Sequence, residues 1–277
     1  MAQPSLSQQI KKLELHLGRE LFDRHAHGAT LTEAGHALLP RARRILVEVH
    51  EATTNLQREL ETGQGPLAVG AIPTMAPFLL PPALGRFVRD FPRCELTVRE
   101  DLTGRLVAAL LDYELDCAVV STPIDSNLIE LEVLGSERLL LTTSLDYRLP
   151  TSGELTLQVL RQEPTIVLHE MHCLGQQIRD FCSTHQTQQR ILCRSTQLAT
   201  VQELVTLGLG ISILPEMAAK ADRENARRYL PIQPGEPTRE IAVAWRRYRS
   251  RSKLAQGLVA RLKEDLQSGL HRLAPAS

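Results

Sequence analysis

The apolar positions of the first sixty residues recur at helical spacing, whereas those beyond residue 66 fall into short alternating runs. Leu6, Ile10, Leu13 and Leu17 return every three or four residues, which predicts a short helix opening at Pro4 and stopped by Gly18. Proline early in a helix costs little, because its missing N–H would have no partner there. Ser5, Ser7, Gln8 and Lys11 lie off the stripe and form a small polar face. Leu21-Phe22 and Thr30-Leu31 flank His25-Ala26-His27-Gly28, a pattern that reads as a hairpin. Thr32 then stands as a helix N-cap, with Glu33 well placed for the helix dipole. Ala37, Leu38, Ala42, Ile45, Leu46, Val49, Ala52, Leu56 and Leu60 carry one helical stripe to residue 61. A helix of ~30 residues exceeds ordinary globular length. Such a helix usually packs on a partner, so a dimerisation helix is expected, a monomeric surface helix being the alternative.

Gly63-Gln64-Gly65-Pro66 reads as a linker. After it, strands are predicted at 67–72, 94–100, 117–121, 138–143, 165–168, 191–194, 211–214 and 241–245. Helices are predicted near 79–90, 103–111, 175–185, 197–207 and 253–267. This alternation implies an α/β domain with a mainly parallel sheet. Its length suits two small lobes with a cleft between them.

Net charge is zero, but the mean hides a pattern. Residues 1–44 carry seven Lys/Arg against four Asp/Glu, residues 63–219 eleven against eighteen, and residues 220–272 thirteen against six. Basic ends around an acidic middle fit a nucleic-acid contact at one end, although solvated helix faces would give the same pattern. No apolar run approaches the roughly 20 residues of a transmembrane helix, and the first residues lack a signal-peptide pattern, so no membrane partner and a cytoplasmic location are expected. The five cysteines, Cys94, Cys117, Cys173, Cys182 and Cys193, include no CxxC pair, so a structural zinc site is not expected.

AQPSLSQQIKKLELHLGRELFDR followed by LTEAGHALLPRARRIL closely resembles the LysR family of bacterial transcriptional regulators. The resemblance extends over nearly the whole chain. It implies a two-lobed, periplasmic-binding-protein-like α/β effector domain preceded by a winged helix-turn-helix and a long linker helix. The expected bounds are 1–31 for the DNA-binding part, 32–62 for the linker helix and 63–277 for the regulatory domain. Within the last, lobe I takes 63–136 and 240–277 and lobe II 137–239. The resemblance also implies that Gln3, Pro4, Ser5, Ser7, Gln8 and Lys11 face the major groove or its phosphates, with Arg24 of the wing on the backbone or minor groove. Gln pairs bidentately with adenine, and Lys with guanine or phosphate. Family members carry two helices ahead of this motif, so a truncated helix-turn-helix is expected here. Double-stranded operator DNA, with those helices present, and RNA polymerase are the implied macromolecular partners, the assembly a homodimer or homotetramer. No enzymatic activity, cofactor or metal is implied.

In the second half, IPTMAPFLLP, EDLTGRLVAAL, LDCAVV and HCLGQQIRDFC resemble the OxyR-type, hydrogen-peroxide-sensing members of that family. The resemblance assigns Cys173 as the peroxidatic cysteine and Cys182 as the resolving one, and places Thr74, Thr103 and His172 around the peroxide. The chemistry is sensible. A thiolate attacks peroxide, so a lowered thiol pKa is expected. Cys173 stands just before the helical pattern Leu174, Ile178, Phe181, where the helix N-terminus and a cationic or donating His172 would stabilise it. Sulfenic acid formed there can be trapped by a second thiol.

Alternatives remain. Thr74 and Thr103 could instead hold the carboxylate of a small organic anion in the interlobe cleft. His169, His172 and Cys173 could ligate a soft metal. Cys193 could compete for Cys182, while Cys94 and Cys117 read as small buried hydrophobes. An enzyme or transport-type binding protein on the same two-lobed domain is the remaining class, but no P-loop, HExxH or GxSxG motif is present.

Overall fold

A computed structural model describes residues 3–25, 28–50, 64–148, 157–233 and 235–270. The chain divides into two compact units, Met1–Leu60 and Glu61–Ser277.

In the first unit, helix α1 (Gln3–Leu17) leads into an antiparallel hairpin of β1 (Phe22–His25) and β2 (Gly28–Leu31), followed by α2 (Glu33–His50). The Glu14 carboxylate on α1 accepts the N–H of Leu21 at 2.9 Å, which ties the helix to the hairpin. The Thr32 hydroxyl accepts the Gly35 N–H at 3.0 Å, so Thr32 caps α2 as its side chain predicts. The hairpin tip at 26–27 and the second half of the expected long helix, 51–61, lie outside the described residues. On α2, Ile45, Leu46 and Val49 are more than half exposed.

The second unit is built on one long sheet in the order β10-β6-β11-β5-β3-β4, with β9 also on β6. Its strands are β3 (Gly65–Ala71), β4 (Cys94–Glu100), β5 (Cys117–Ser121), β6 (Ile129–Ser144), β9 (Ser212–Pro215), β10 (Arg227–Leu230) and β11 (Thr238–Arg246). A separate parallel pair joins β7 (Pro164–Leu168) to β8 (Arg190–Ser195). The helices are α3 (Ala76–Asp90), α4 (Thr103–Leu111), α5 (Val159–Gln162), α6 (Cys173–Thr184), α7 (Leu198–Thr206), α8 (Glu216–Ala221) and α9 (Lys253–Leu270).

The expectation of a mainly parallel sheet is corrected. Among the strand pairs of the described residues, β3–β4, β3–β5 and β7–β8 are parallel, and β6 and β11 pair antiparallel with each other and with their other neighbours. The reason is that the long strand β6 is shared by two cores and pairs along its length with β11, β9 and β10. The 138–143 run marks only the far end of β6, because its first half alternates charged and apolar residues. One core packs β3, β5 and β11 against α3, α4 and α9 through Val69, Phe87, Leu106, Trp245 and Leu258. The other gathers Leu141, Ile166, Leu174, Ile178, Val201 and Ile211.

Candidate sensor site

Three helices of the second unit begin near one another at strand ends. α3 follows β3 through a turn containing Thr74, α4 starts at Thr103, and α6 starts at Cys173 with His172 as its N-cap. Helix N-termini carry unpaired N–H groups and the positive end of the macrodipole. Thr74 is fully buried. Cys173 rests against the first core, although Leu174, Ile178 and Cys182 on the same helix belong to the second. Helix α6 therefore spans both packing units.

A group not singled out from the sequence joins them. Arg239, at the lobe-crossing end of β11, is fully buried. Its Nη1 donates to Thr74 Oγ1 at 2.9 Å and its Nη2 to the Thr74 carbonyl at 3.0 Å. Its Nε donates to Glu137 Oε1 at 2.7 Å, and the other Glu137 oxygen accepts the Met217 N–H at 2.8 Å. A legible signal existed. Strand residues alternate faces, so Arg239 shares the inward face with Ile241.

Burial pushes the Cys173 thiol above its ordinary value; Arg239, the Thr103 hydroxyl and the backbone N–H groups of Leu174 and Cys173 itself oppose that shift. The Thr103 Oγ1 is buried with no hydrogen-bond partner among the described residues. The expected stabilisers are thus present, but the expected net lowering is corrected, because removing the thiolate from water outweighs them. His172 is also corrected as a cation. Burial lowers its pKa, and its Nε2 lies 2.8 Å from the Thr196 carbonyl, which can only accept, so the ring is neutral with its proton on Nε2. His169 does not free itself for a metal either, since its Nδ1 accepts the Met171 N–H at 3.1 Å.

Cys182 lies near the other end of α6, fully buried, its thiol pushed up to about 11 by burial. The nine-residue rise between the two cysteines is about 13 Å, well beyond the roughly 7 Å between Cα atoms that a disulfide allows. Two features hold the helix in place. Gln177 Nε2 donates to Ser121 Oγ at 3.0 Å and to the Thr122 carbonyl at 2.9 Å, across to β5. Gly175 sits against strand-end carbonyls: an added Cβ would fall 2.6 Å from the oxygens of Leu168 and His169. Cys117 is buried, and Cys94 and Cys193 are half-buried; burial raises the pKa of both Cys94 and Cys117.

This arrangement has close relatives. Residues 60–267 match the LysR substrate binding domain, and residues 1–36 match the bacterial regulatory helix-turn-helix protein of the lysR family. The chain belongs to the LysR family of bacterial regulators. It is 34% identical over 247 residues to the hydrogen peroxide-inducible genes activator of Pectobacterium carotovorum subsp. carotovorum, covering 89% of this chain and 82% of that one. It is 33% identical over 267 residues to the DNA-binding transcriptional dual regulator OxyR of Escherichia coli K12, covering 95% and 88%. Among solved structures, a hydrogen-peroxide-bound cysteine mutant of Corynebacterium glutamicum OxyR superposes with a TM-score of 0.68 at 28% identity, covering 98% of this chain and 86% of that one. A full-length OxyR cysteine variant from Pseudomonas aeruginosa gives 0.68 at 26% identity, covering 95% and 90%.

At the other end of this LysR chain, α1 carries Ser7, Gln8 and Lys11 exposed. Gln3, Pro4 and Ser5 form its first turn, and their side chains lie outside the described ones. Arg24 on β1 is half-exposed, 3.8 Å from Glu14. No helix among the described residues is long and apolar enough to cross a membrane.

Proposed function

We propose that this LysR-type DNA-binding regulator is switched by hydrogen peroxide through Cys173 and Cys182. The observation that carries the reading is the placement of both cysteines on one helix that spans two cores, with Arg239, Thr103 and a helix N-terminus at the first sulfur. The Cys173 sulfur attacks one peroxide oxygen and the O–O bond breaks. The sulfur becomes a sulfenic acid, and the second oxygen leaves as water after taking the thiol proton. The Cys182 thiol then attacks the sulfenic sulfur; its proton and the sulfenic hydroxyl leave as water, and the S–S bond forms. One peroxide is reduced per disulfide, so the reaction is a stoichiometric switch.

Thr74 is held by Arg239 and Thr103 faces the sulfur, which suits both to orient the peroxide. His172 fits as an anchor of the α6 N-terminus through Thr196. An organic anion is less well served, because the guanidinium it would need is already matched by Glu137. Gln3, Pro4, Ser5, Ser7, Gln8, Lys11 and Arg24 are assigned to operator DNA, and the exposed apolar residues of α2 to subunit pairing in a homodimer or homotetramer.

The test is a thiol count with peptide mapping before and after mild peroxide. The wild-type protein is expected to lose two thiols and yield a Cys173–Cys182 disulfide, Cys173→Ser to lose neither, and Cys182→Ser to stop at a dimedone-reactive sulfenic acid. Peroxide treatment that leaves Cys173 and Cys182 unlinked sinks the reading.

A further inference from the structure

Glu137 belongs to none of the roles assigned above, yet it is the group on which the site's only buried cation leans among the described residues. Its side chain is 6% exposed and that of Arg239 is 0%. One carboxylate oxygen takes the Nε edge of the guanidinium, leaving the Nη edge to Thr74. The other oxygen accepts the Met217 N–H at the start of α8, and the Met217 sulfur lies 3.6 Å from Arg239 Nη2. Thus the carboxylate is anchored at both oxygens, and the orientation of the guanidinium fork follows from it. Glu137, Met217 and Phe78 also wall a groove of about 560 Å³ that Lys220 and Arg223 border.

We propose that Glu137 is a positioning residue: it fixes Arg239 in the orientation that serves Cys173, and anchors α8 with the same carboxylate. The proposal deepens the peroxide reading, on which its biological meaning rests. The charged groups around it are few. Arg239 pairs with Glu137, and its positive charge favours the Cys173 thiolate. Arg138 pairs with Glu216 at 2.7 Å rather than with Glu137. Lys220, Arg223 and Asp265 line the groove, and neutral His172 precedes the sulfur. Two substitutions then act in opposite directions. Glu137→Gln keeps an acceptor for Nε but removes the negative charge that offsets the guanidinium, so the thiolate is favoured. Glu137→Ala leaves the guanidinium free to pivot, and the thiolate is lost to burial.

The experiment is the rate of iodoacetamide alkylation of Cys173 against pH in the full-length reduced chain. It is read by mass spectrometry on the tryptic peptide 162–179, which contains Cys173 and no other cysteine. Glu137→Gln is expected to raise the rate at pH 7.5 severalfold and to move the midpoint of its pH profile down, and Glu137→Ala to lower the rate about tenfold or more and move the midpoint up. Parallel changes in both variants, or rates within twofold of wild type in both, overturn the proposal. Thermal unfolding of each variant checks that the fold persists. If the Ala variant does not fold, the near-isosteric Gln variant decides alone: a rate that fails to rise overturns the proposal. Alkylation needs no peroxide, so a wild-type protein inert to peroxide would sink the sensor reading while leaving this test intact.

Discussion

Cys173 and Cys182 are both thiols pushed up by burial, but their surroundings differ. Cys173 has a cation, a hydroxyl and backbone N–H groups working against the penalty, whereas burial alone acts on Cys182. Reagents specific for thiolate should therefore label Cys173 first at neutral pH, with Cys182 labelled only as pH approaches 11 or after the helix opens; equal rates at pH 8 would contradict this. Gly175 makes a second prediction. Gly175→Ala would normally stabilise a helix by about 1 kcal/mol, but the Cβ would meet backbone oxygens at 2.6 Å that cannot move alone. Overpacking costs about 1–3 kcal/mol, so Tm is expected to fall. A third concerns Asp222. Burial raises its pKa, but hydrogen bonds from Arg227, the Ala226 N–H and Tyr229 win, so it stays below the ordinary carboxylate value. A depressed carboxylate stabilises the fold above its unfolded pKa, and that contribution is lost as pH falls through the folded value. Asp222→Asn should flatten this acid limb in a denaturant titration between pH 5 and pH 3, values that bracket the ordinary carboxylate pKa of about 4.

At the scale of elements, the proposed switch makes α6 the part that would move. It cannot bring its two cysteines within bonding reach while helical, because its rise separates them by about 13 Å. A disulfide between them would therefore require residues between them to unwind, the Gln177 bonds to Ser121 and Thr122 to break, and Cys182 to leave the second core. Amide exchange across 174–182 is expected to rise on peroxide treatment and to revert with reductant, and trypsin to cut after Arg179 faster in the oxidised form. Retained protection together with a formed disulfide would contradict the unwinding. Helix α2 makes its own case. Ile45, Leu46 and Val49 leave an apolar face open on a single chain, so Ile45→Asp with Leu46→Asp should shift the sedimentation coefficient toward monomer if this helix pairs subunits.

For the whole molecule, a reader of phosphates should lose affinity steeply with salt. Lys11→Ala should weaken binding on every operator alike and reduce the salt slope by about one. A base-reading residue such as Gln8 should instead cost discrimination at one position.

The family, the helical start, the hairpin, Thr32 as a cap and the run of helices and strands were all legible in the sequence, because each rests on spacing or on a motif within a few residues. Cys173, Cys182, Thr74 and Thr103 were nominated through resemblance to a family whose motifs are local. Tertiary structure alone decided three matters. It made the sheet mixed, because β6 runs between two cores and pairs antiparallel with β11, β9 and β10. It put Arg239 and Glu137, 102 residues apart in the chain, into one buried pair whose cation favours the Cys173 thiolate. It set the direction of the Cys173 and His172 shifts, because desolvation depends on everything packed around a group and not on its neighbours in the chain.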